Sequence, residues 1–193
     1  MSGDKKYQVF ISSTYEDLKS ERKAVEETII RAGDIPVGME AFPAVDSEQF
    51  EFIKTVIRSC DYYVLIIAGR YGSLADDGLS YTEKEFRYAV ECGIPALVFV
   101  RDEIGSISAD KSEPNGNGRK KLGEFVKFAS NGRMRKPWST VEGLKLSVRE
   151  SLDHSKATSP RFGWVRGDSV ASKQALMRLG SGPIKCLDAG LSS

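Results

Sequence analysis

The stretch from Ser80 to Val100, SYTEKEFRYAVECGIPALVFV, has the pattern of a helix followed by a buried strand. Its first four residues form a capping-box motif, in which Ser80 and Glu83 each bond a backbone amide at the start of a helix. Gly93 is typical of the residue that ends a helix, and the apolar run after it is typical of a strand covered on both faces. The stretch therefore indicates an α/β protein.

The chain before this stretch repeats the alternation of strand and helix. Asp61 to Ala68, DYYVLIIA, is almost wholly apolar, which favours a central parallel strand, whereas Pro36 favours an edge position for its own strand. We expect Thr14 to cap the first helix and Gly33 to end it. The order predicts a flavodoxin-like three-layer sandwich with a parallel sheet of about five strands. The predicted strands before residue 80 are Tyr7 to Ile11, Ile35 to Met39 and Asp61 to Ala68, and the predicted helices are Tyr15 to Ala32 and Ser47 to Arg58.

The pattern is weaker in the second half of the chain. Asp102 to Gly118 is rich in Ser, Gly, Asn and Asp, which predicts a mobile loop or insertion. We expect residues 1–154 to form one domain and residues 155–193 to form a partly flexible C-terminal extension, with Phe162 to Val165 as an added strand or arm. The remaining predicted elements are helices over Lys120 to Ala129 and Thr140 to Leu152 and a short strand over Arg135 to Trp138.

Composition excludes several classes of function. The formal net charge of +1 over 193 residues gives no electrostatic case for a nucleic-acid or anionic-membrane partner. No apolar run approaches the roughly 20 residues that span a bilayer, and the polar N-terminus is not a signal peptide. The three cysteines are too few and too scattered to indicate a disulfide framework or a metal site. The single histidine does not favour a histidine-based catalytic dyad. We expect a cytoplasmic protein.

Two carboxylates near the start of the predicted helix have different interpretations. Glu83 completes the capping box, so a structural role is favoured. Glu85 has no such local role and flanks the apolar face of the helix. Its ordinary interpretation is a solvated residue or an ion pair with Arg70 or Arg87. The alternative is a role in the crevice at the carboxyl ends of the parallel strands, where α/β proteins bind ligands.

Two predicted loops reach the same edge of the sheet. Gly69-Arg70-Tyr71-Gly72-Ser73 follows the most apolar strand, and its arginine can bind a phosphate or form a structural ion pair. Ser12-Ser13-Thr14 follows the first strand and can bind phosphate or only cap a helix. Neither loop has a Walker A or a GxGxxG motif. A third loop, Met39 to Phe42, is predicted to be a partner surface, a lid, or a cover for the sheet.

Four motifs taken together resemble a TIR-like family of no established activity, found in bacteria and eukaryotes and often placed ahead of STAND-type NTPases. The resemblance runs from about Gln8 to about Arg101, and a weaker similarity extends to Trp164. The motifs are VFISSTYEDLKSER, PVGMEAF, CDYYVLIIAGRYGSL and SYTEKEFRYAVECGIPALVF.

The resemblance implies candidate site residues. TIR NAD hydrolases and nucleoside deoxyribosyltransferases carry a glutamate on the helix before a Gly-x-x strand, with a small residue four positions later. Glu85 and Ala89 fit that pattern here. The resemblance implies Glu85 as the catalytic residue, with NAD or a related nucleotide as substrate and no cofactor. The loops of Ser12, Ser13 and Arg70 correspond to loops that line the nucleotide in those relatives, so these residues are predicted to bind substrate. The chemistry adds Tyr71 or Phe42 as the side chain predicted to stack on a base.

Two functional classes follow from this resemblance. One is an NAD hydrolase or related N-glycosidase that acts in defence or signalling. The other is a non-catalytic module that senses a nucleotide or works through a protein partner or self-association. A homo-oligomer is compatible with both.

Overall fold

Five strands and five α-helices alternate along residues 5–38, 47–102, 107–133 and 135–165, the part of the chain that the computed structural model describes. All of them belong to the compact unit Lys6–Gly163. The strands are β1 (Gln8–Ser12), β2 (Ile35–Gly38), β3 (Tyr62–Ile67), β4 (Ala96–Arg101) and β5 (Arg135–Trp138). The helices are α1 (Lys19–Arg31), α2 (Ser47–Ser59), α3 (Tyr81–Glu91), α4 (Gly116–Ser130) and α5 (Val141–Thr158).

The strands form one parallel sheet in the order β2-β1-β3-β4-β5. This is the flavodoxin-like order, and it confirms the predicted fold class. Every residue of β3 is buried at the centre of the sheet, as its apolar run indicates. β2 lies at the edge, where Pro36 needs no ladder partner for its missing N–H.

Helices cover both faces of the sheet. One core lies between the sheet and α2, α3 and α4, and includes Ile53, Phe86 and Phe125. The other lies between the sheet and α1 and α5, and includes Val25 and Val148. No helix in the described part of the chain is long and apolar enough to span a membrane.

The ends of α1 and α3 follow the signals in the sequence. The Ser80 hydroxyl accepts a hydrogen bond from the backbone N–H of Glu83 at 3.2 Å, so Ser80 is the N-cap of α3. Gly33 and Gly93 follow α1 and α3 with φ of +84° and +67°, a conformation that other residues rarely adopt.

Other helix boundaries differ from the predictions. α1 begins at Lys19, so the N-cap position belongs to Leu18 and not to Thr14. α4 begins at Gly116 rather than Lys120, because Asn115 caps it by accepting from the N–H of Gly118 at 2.6 Å. Glycines are weak helix formers, so this first turn carries little signal in the sequence.

The C-terminal half contains more regular structure than its composition indicates. α5 continues to Thr158, past its predicted end at Leu152. The predicted loop over residues 102–118 holds a short 3₁₀ helix, Ala109–Lys111, and the first turn of α4. The second unit consists of Met1–Lys5 and Trp164–Ser193, of which only Lys5, Trp164 and Val165 are described. The division into domain and extension stays a prediction.

Candidate functional site

The chain is crowded at Gly69, just after β3. The N–H of Glu113 donates to the carbonyl of Gly69 at 2.7 Å. A Cβ atom at Gly69 would lie 2.4 Å from the backbone oxygen of Lys111, which is far inside van der Waals contact. Only glycine fits here. Residues 107–114, which we call the β4–α4 segment, therefore rest directly on the carboxyl end of β3.

A cavity of about 630 Å³ opens on the α2 and α3 side of this contact, and we call it the Glu85 cavity. Its walls come from the loops after β1 and β3, the start of α3 and the β4–α4 segment. Its volume is in the range of small-molecule binding sites. The lining residues are Ser13, Thr14, Tyr15, Glu16, Ile53, Arg70, Gly72, Ser73, Tyr81, Thr82, Glu85, Glu113 and Pro114.

Ser12 orients the Glu85 carboxylate. The Ser12 hydroxyl, at the end of β1, donates to Oε2 of Glu85 at 2.5 Å, and both residues are buried. Arg87 pairs with Glu83 at 2.6 Å and not with Glu85. Of the interpretations open for Glu85, the structure therefore places it in the crevice and not on a solvated face, with 4% of its surface exposed.

Glu83 has a structural role that the capping motif describes only in part. Its carboxylate accepts from the Tyr71 hydroxyl at 2.7 Å and from the Arg87 guanidinium at 2.6 Å. The Tyr71 ring is buried and forms a T-shaped pair with Phe125, with 6.4 Å between the ring centroids. Burial, aided by Glu83, raises the pKa of Tyr71. Tyr71 does not line the Glu85 cavity, so it supports the site from the core and is not positioned to stack on a base.

The other predicted binding residues fall into three groups. Ser13 and Arg70 line the same cavity as Glu85. The Ser13 hydroxyl accepts from Arg22 at 2.8 Å and donates to the carbonyl of Thr14 at 2.7 Å. Ser12 lies beneath the cavity and acts through Glu85. Phe42 and the rest of the Met39 to Phe42 loop lie outside the described residues.

The structure adds residues that sequence reasoning missed. Tyr15 and Tyr81 line the Glu85 cavity, and Tyr15 is 53% exposed. Both follow polar loops at the carboxyl edge of the sheet, which is the signal that could have identified them. Glu16 and Glu113 also line the cavity, but Glu16 pairs with Lys19 at 2.9 Å and Glu113 accepts from the N–H of Tyr71 at 3.1 Å.

The fold and this site define a flavodoxin-like α/β protein with a polar crevice at the carboxyl edge of its sheet. The chain belongs to the family described as "Domain of unknown function (DUF4062)", which matches residues 8–153. A comparison with curated proteins gave no match.

Solved structures that are similar to the chain include the following three. The first is a Clostridium botulinum CMP N-glycosidase, BcmB, at 12% identity and a TM-score of 0.45, covering 76% of this chain and 98% of that one. The second, the RPS4 and RRS1 TIR domain heterodimer, has 17% identity, a TM-score of 0.45 and coverage of 78% and 97%. The third, a probable GTP-binding protein engB, has 13% identity, a TM-score of 0.46 and coverage of 80% and 98%. At these values the similarities establish no shared activity.

Proposed function

We propose that this protein is an N-glycosidase that cleaves the bond between nicotinamide and ribose in NAD or a related nucleotide, with Glu85 as the catalytic residue. One observation carries the proposal. The Glu85 carboxylate, oriented by Ser12, lines a cavity of ligand size at the carboxyl edge of a parallel sheet. The resemblance to TIR enzymes extends the proposal to a role in signalling or defence.

The proposed reaction requires a carboxylate that stabilises positive charge, and it requires no general acid. When the bond between ribose C1′ and the nicotinamide nitrogen breaks, its electron pair neutralises the cationic ring, so the leaving group needs no proton. Positive charge develops on the ribose, as in glycoside hydrolysis. The Glu85 carboxylate would stabilise that charge. Water then adds to C1′, and the products are nicotinamide, ADP-ribose and a proton.

Other residues of the cavity would bind the substrate. Arg70 would pair with the diphosphate, since a guanidinium matches phosphate oxygens in a planar, bidentate geometry. Tyr15 and Tyr81 would stack against the bases, in place of the predicted Tyr71. Ser12 would hold the Glu85 carboxylate in position through its hydrogen bond to Oε2.

A second candidate function is nucleotide sensing without cleavage. The low exposure of Glu85 and its short hydrogen bond to a buried serine favour it, because a carboxylate that acts at C1′ must be reachable from the cavity. In this function Glu85 would stay bonded to Ser12 and hold the wall of the cavity, and the other cavity residues would keep the same roles.

The test is an assay of nicotinamide and ADP-ribose formed from NAD by the full chain, at dilute and at high protein concentration. Wild type is compared with Glu85→Gln and with Glu91→Gln, a control at the exposed end of the same helix. NAD binding is measured in parallel by calorimetry. Release that only Glu85→Gln abolishes supports the N-glycosidase. Binding without release supports the sensor, and a folded protein that does neither refutes both.

A further inference from the structure

Tyr62 and Tyr63 follow each other in β3, and both side chains are fully buried. Successive side chains of a strand point to opposite faces of the sheet. Tyr62 accordingly belongs to the core on the α1 and α5 side, where its hydroxyl donates to the carbonyl of Ser159 at 3.0 Å. Tyr63 belongs to the core on the α2, α3 and α4 side, which is the side of Glu85.

The Tyr63 ring lies between the two elements that carry Ser12 and Glu85. It stacks on Phe10 of β1 with 5.4 Å between the ring centroids, and Phe10 shares a face of its strand with Ser12, two residues further on. It is also tilted against Phe86 of α3, the residue next to Glu85, with 6.0 Å between the centroids. The ring therefore contacts both sides of the Ser12–Glu85 hydrogen bond.

The polar groups around the Tyr63 hydroxyl are those of the candidate site. The Ser12 side chain is within hydrogen-bonding range of it, and the charges of Glu85 and Arg22 act on it. Burial, and then the Glu85 carboxylate, raise the pKa of Tyr63 well above its ordinary value, so the hydroxyl keeps its proton. Among the described residues this hydroxyl has no candidate partner other than Ser12. Ser12 can accept a hydrogen bond, because its own proton goes to Glu85.

Arg22 holds the backbone on either side of Ser12. Its buried guanidinium donates to Ser13 Oγ at 2.8 Å and reaches the carbonyls of Ser13 and Ile11, each at 3.5 Å. Because this backbone is held, the freedom left to Ser12 is the rotation of its hydroxyl. The direction of that hydroxyl in turn decides how firmly Glu85 is oriented.

We propose that Tyr63 is a positioning residue, which donates to Ser12 Oγ and thereby directs the Ser12 proton towards Glu85. The proposal rests on the proposed function, because the effect of Tyr63 on catalysis passes through Glu85. In a chain of hydrogen bonds each bond polarises the next, so the bond to the carboxylate is stronger than one from an isolated serine. Tyr63 does not line the Glu85 cavity, so its hydroxyl affects the geometry of the carboxylate and not the binding of substrate.

The experiment is a double-mutant cycle of Tyr63→Phe and Ser12→Ala, with NAD turnover and urea unfolding measured on the same preparations. Tyr63→Phe removes one oxygen atom and keeps the ring. It is expected to lower kcat about tenfold and to leave KM for NAD within about twofold, because it disturbs the orientation of Glu85 and not the substrate contacts. In the Ser12→Ala background the same change is expected to lower kcat no further. Tyr62→Phe is the matched control, which loses a hydroxyl on the other face of the sheet and is expected to keep the wild-type kcat.

Three results overturn the proposal. One is a wild-type kcat in Tyr63→Phe, and another is a loss in the double variant that equals the product of the two single losses. The third is an equal fall in kcat in Tyr62→Phe, which would assign the effect to stability alone.

Absence of nicotinamide release from the wild-type protein would refute the proposed function, and the cycle would then be read from unfolding. The shifts of the urea midpoint in Tyr63→Phe and Ser12→Ala are expected not to add in the double variant, because the two hydroxyls bond each other. Additive shifts would show that Tyr63 does not act on Ser12, so the two proposals fail separately.

Discussion

The hydroxyl of Ser12 joins the end of β1 to the Glu85 carboxylate on α3 at 2.5 Å. β1 and β3 are neighbours in the sheet, but α1 after β1 and α3 after β3 cover opposite faces. This is the switch point at which open α/β sheets bind ligands. The Ser12–Glu85 hydrogen bond therefore holds a carboxylate at the crevice that forms where the connections after β1 and β3 go to opposite faces of the sheet.

Ser12→Ala is expected to lower the free energy of unfolding by about 1–3 kcal/mol, because it removes a buried donor from a buried carboxylate. Urea denaturation followed by circular dichroism measures the change. Ser59→Ala, at the exposed end of α2, is the matched control and is expected to have a small effect. Equal stability of the two variants would show that the Ser12–Glu85 bond does not support the fold.

Gly69→Ala is expected to destabilise the protein by about 1–3 kcal/mol, since the added Cβ collides with a backbone oxygen that belongs to another segment. Gly123→Ala is the control in α4, where a Cβ meets nothing within 4 Å. It is expected to stabilise the protein by up to about 1 kcal/mol. Thermal unfolding of both variants tests this. A neutral Gly69→Ala would mean that the β4–α4 segment does not pack on β3 as described.

Asp17→Asn is expected to raise the melting temperature at pH 7, with a gain that shrinks as the pH falls towards 4. Burial raises the folded-state pKa of Asp17 above its ordinary value of 3.8. The stability that this group contributes is thus fully present below 3.8 and is lost as the pH rises through the raised pKa. Melting curves from pH 4 to 7 measure the difference. A gain independent of pH would contradict the argument.

Tyr81→Ala is expected to weaken NAD binding by about tenfold, in line with the loss of one stacking contact between a base and an aromatic ring. Tyr81→Phe keeps the ring and is expected to bind like wild type. Calorimetry with NAD compares the two. If Tyr81→Phe is as weak as Tyr81→Ala, the hydroxyl and not the ring makes the contact.

The features that sequence reasoning identified correctly are those with a local cause. The apolar run of β3 reflects its burial on both faces, and Ser80 caps α3 through an amide only three residues away. The placement of Glu85 in the crevice came from the resemblance, since on composition alone a solvated residue was the ordinary interpretation.

The features that the sequence did not disclose depend on long-range contacts. The partner of Glu85 lies 73 residues away on another strand. Tyr71 was predicted to bind a base, but its hydroxyl is held in the core by Glu83. The burial of Asp17 depends on how the segments around the start of α1 pack, and no short motif encodes that arrangement.

The central claim is that Glu85 acts on the substrate and does not only hold the fold together. The most direct measurement is the rate of nicotinamide release from NAD by wild type and by Glu85→Gln, with binding and unfolding measured on the same preparations. The account predicts that the folded variant still binds NAD and releases nicotinamide at least about 100-fold more slowly, the scale of losing one electrostatic contact to the transition state. Equal rates of release from the two proteins would contradict it.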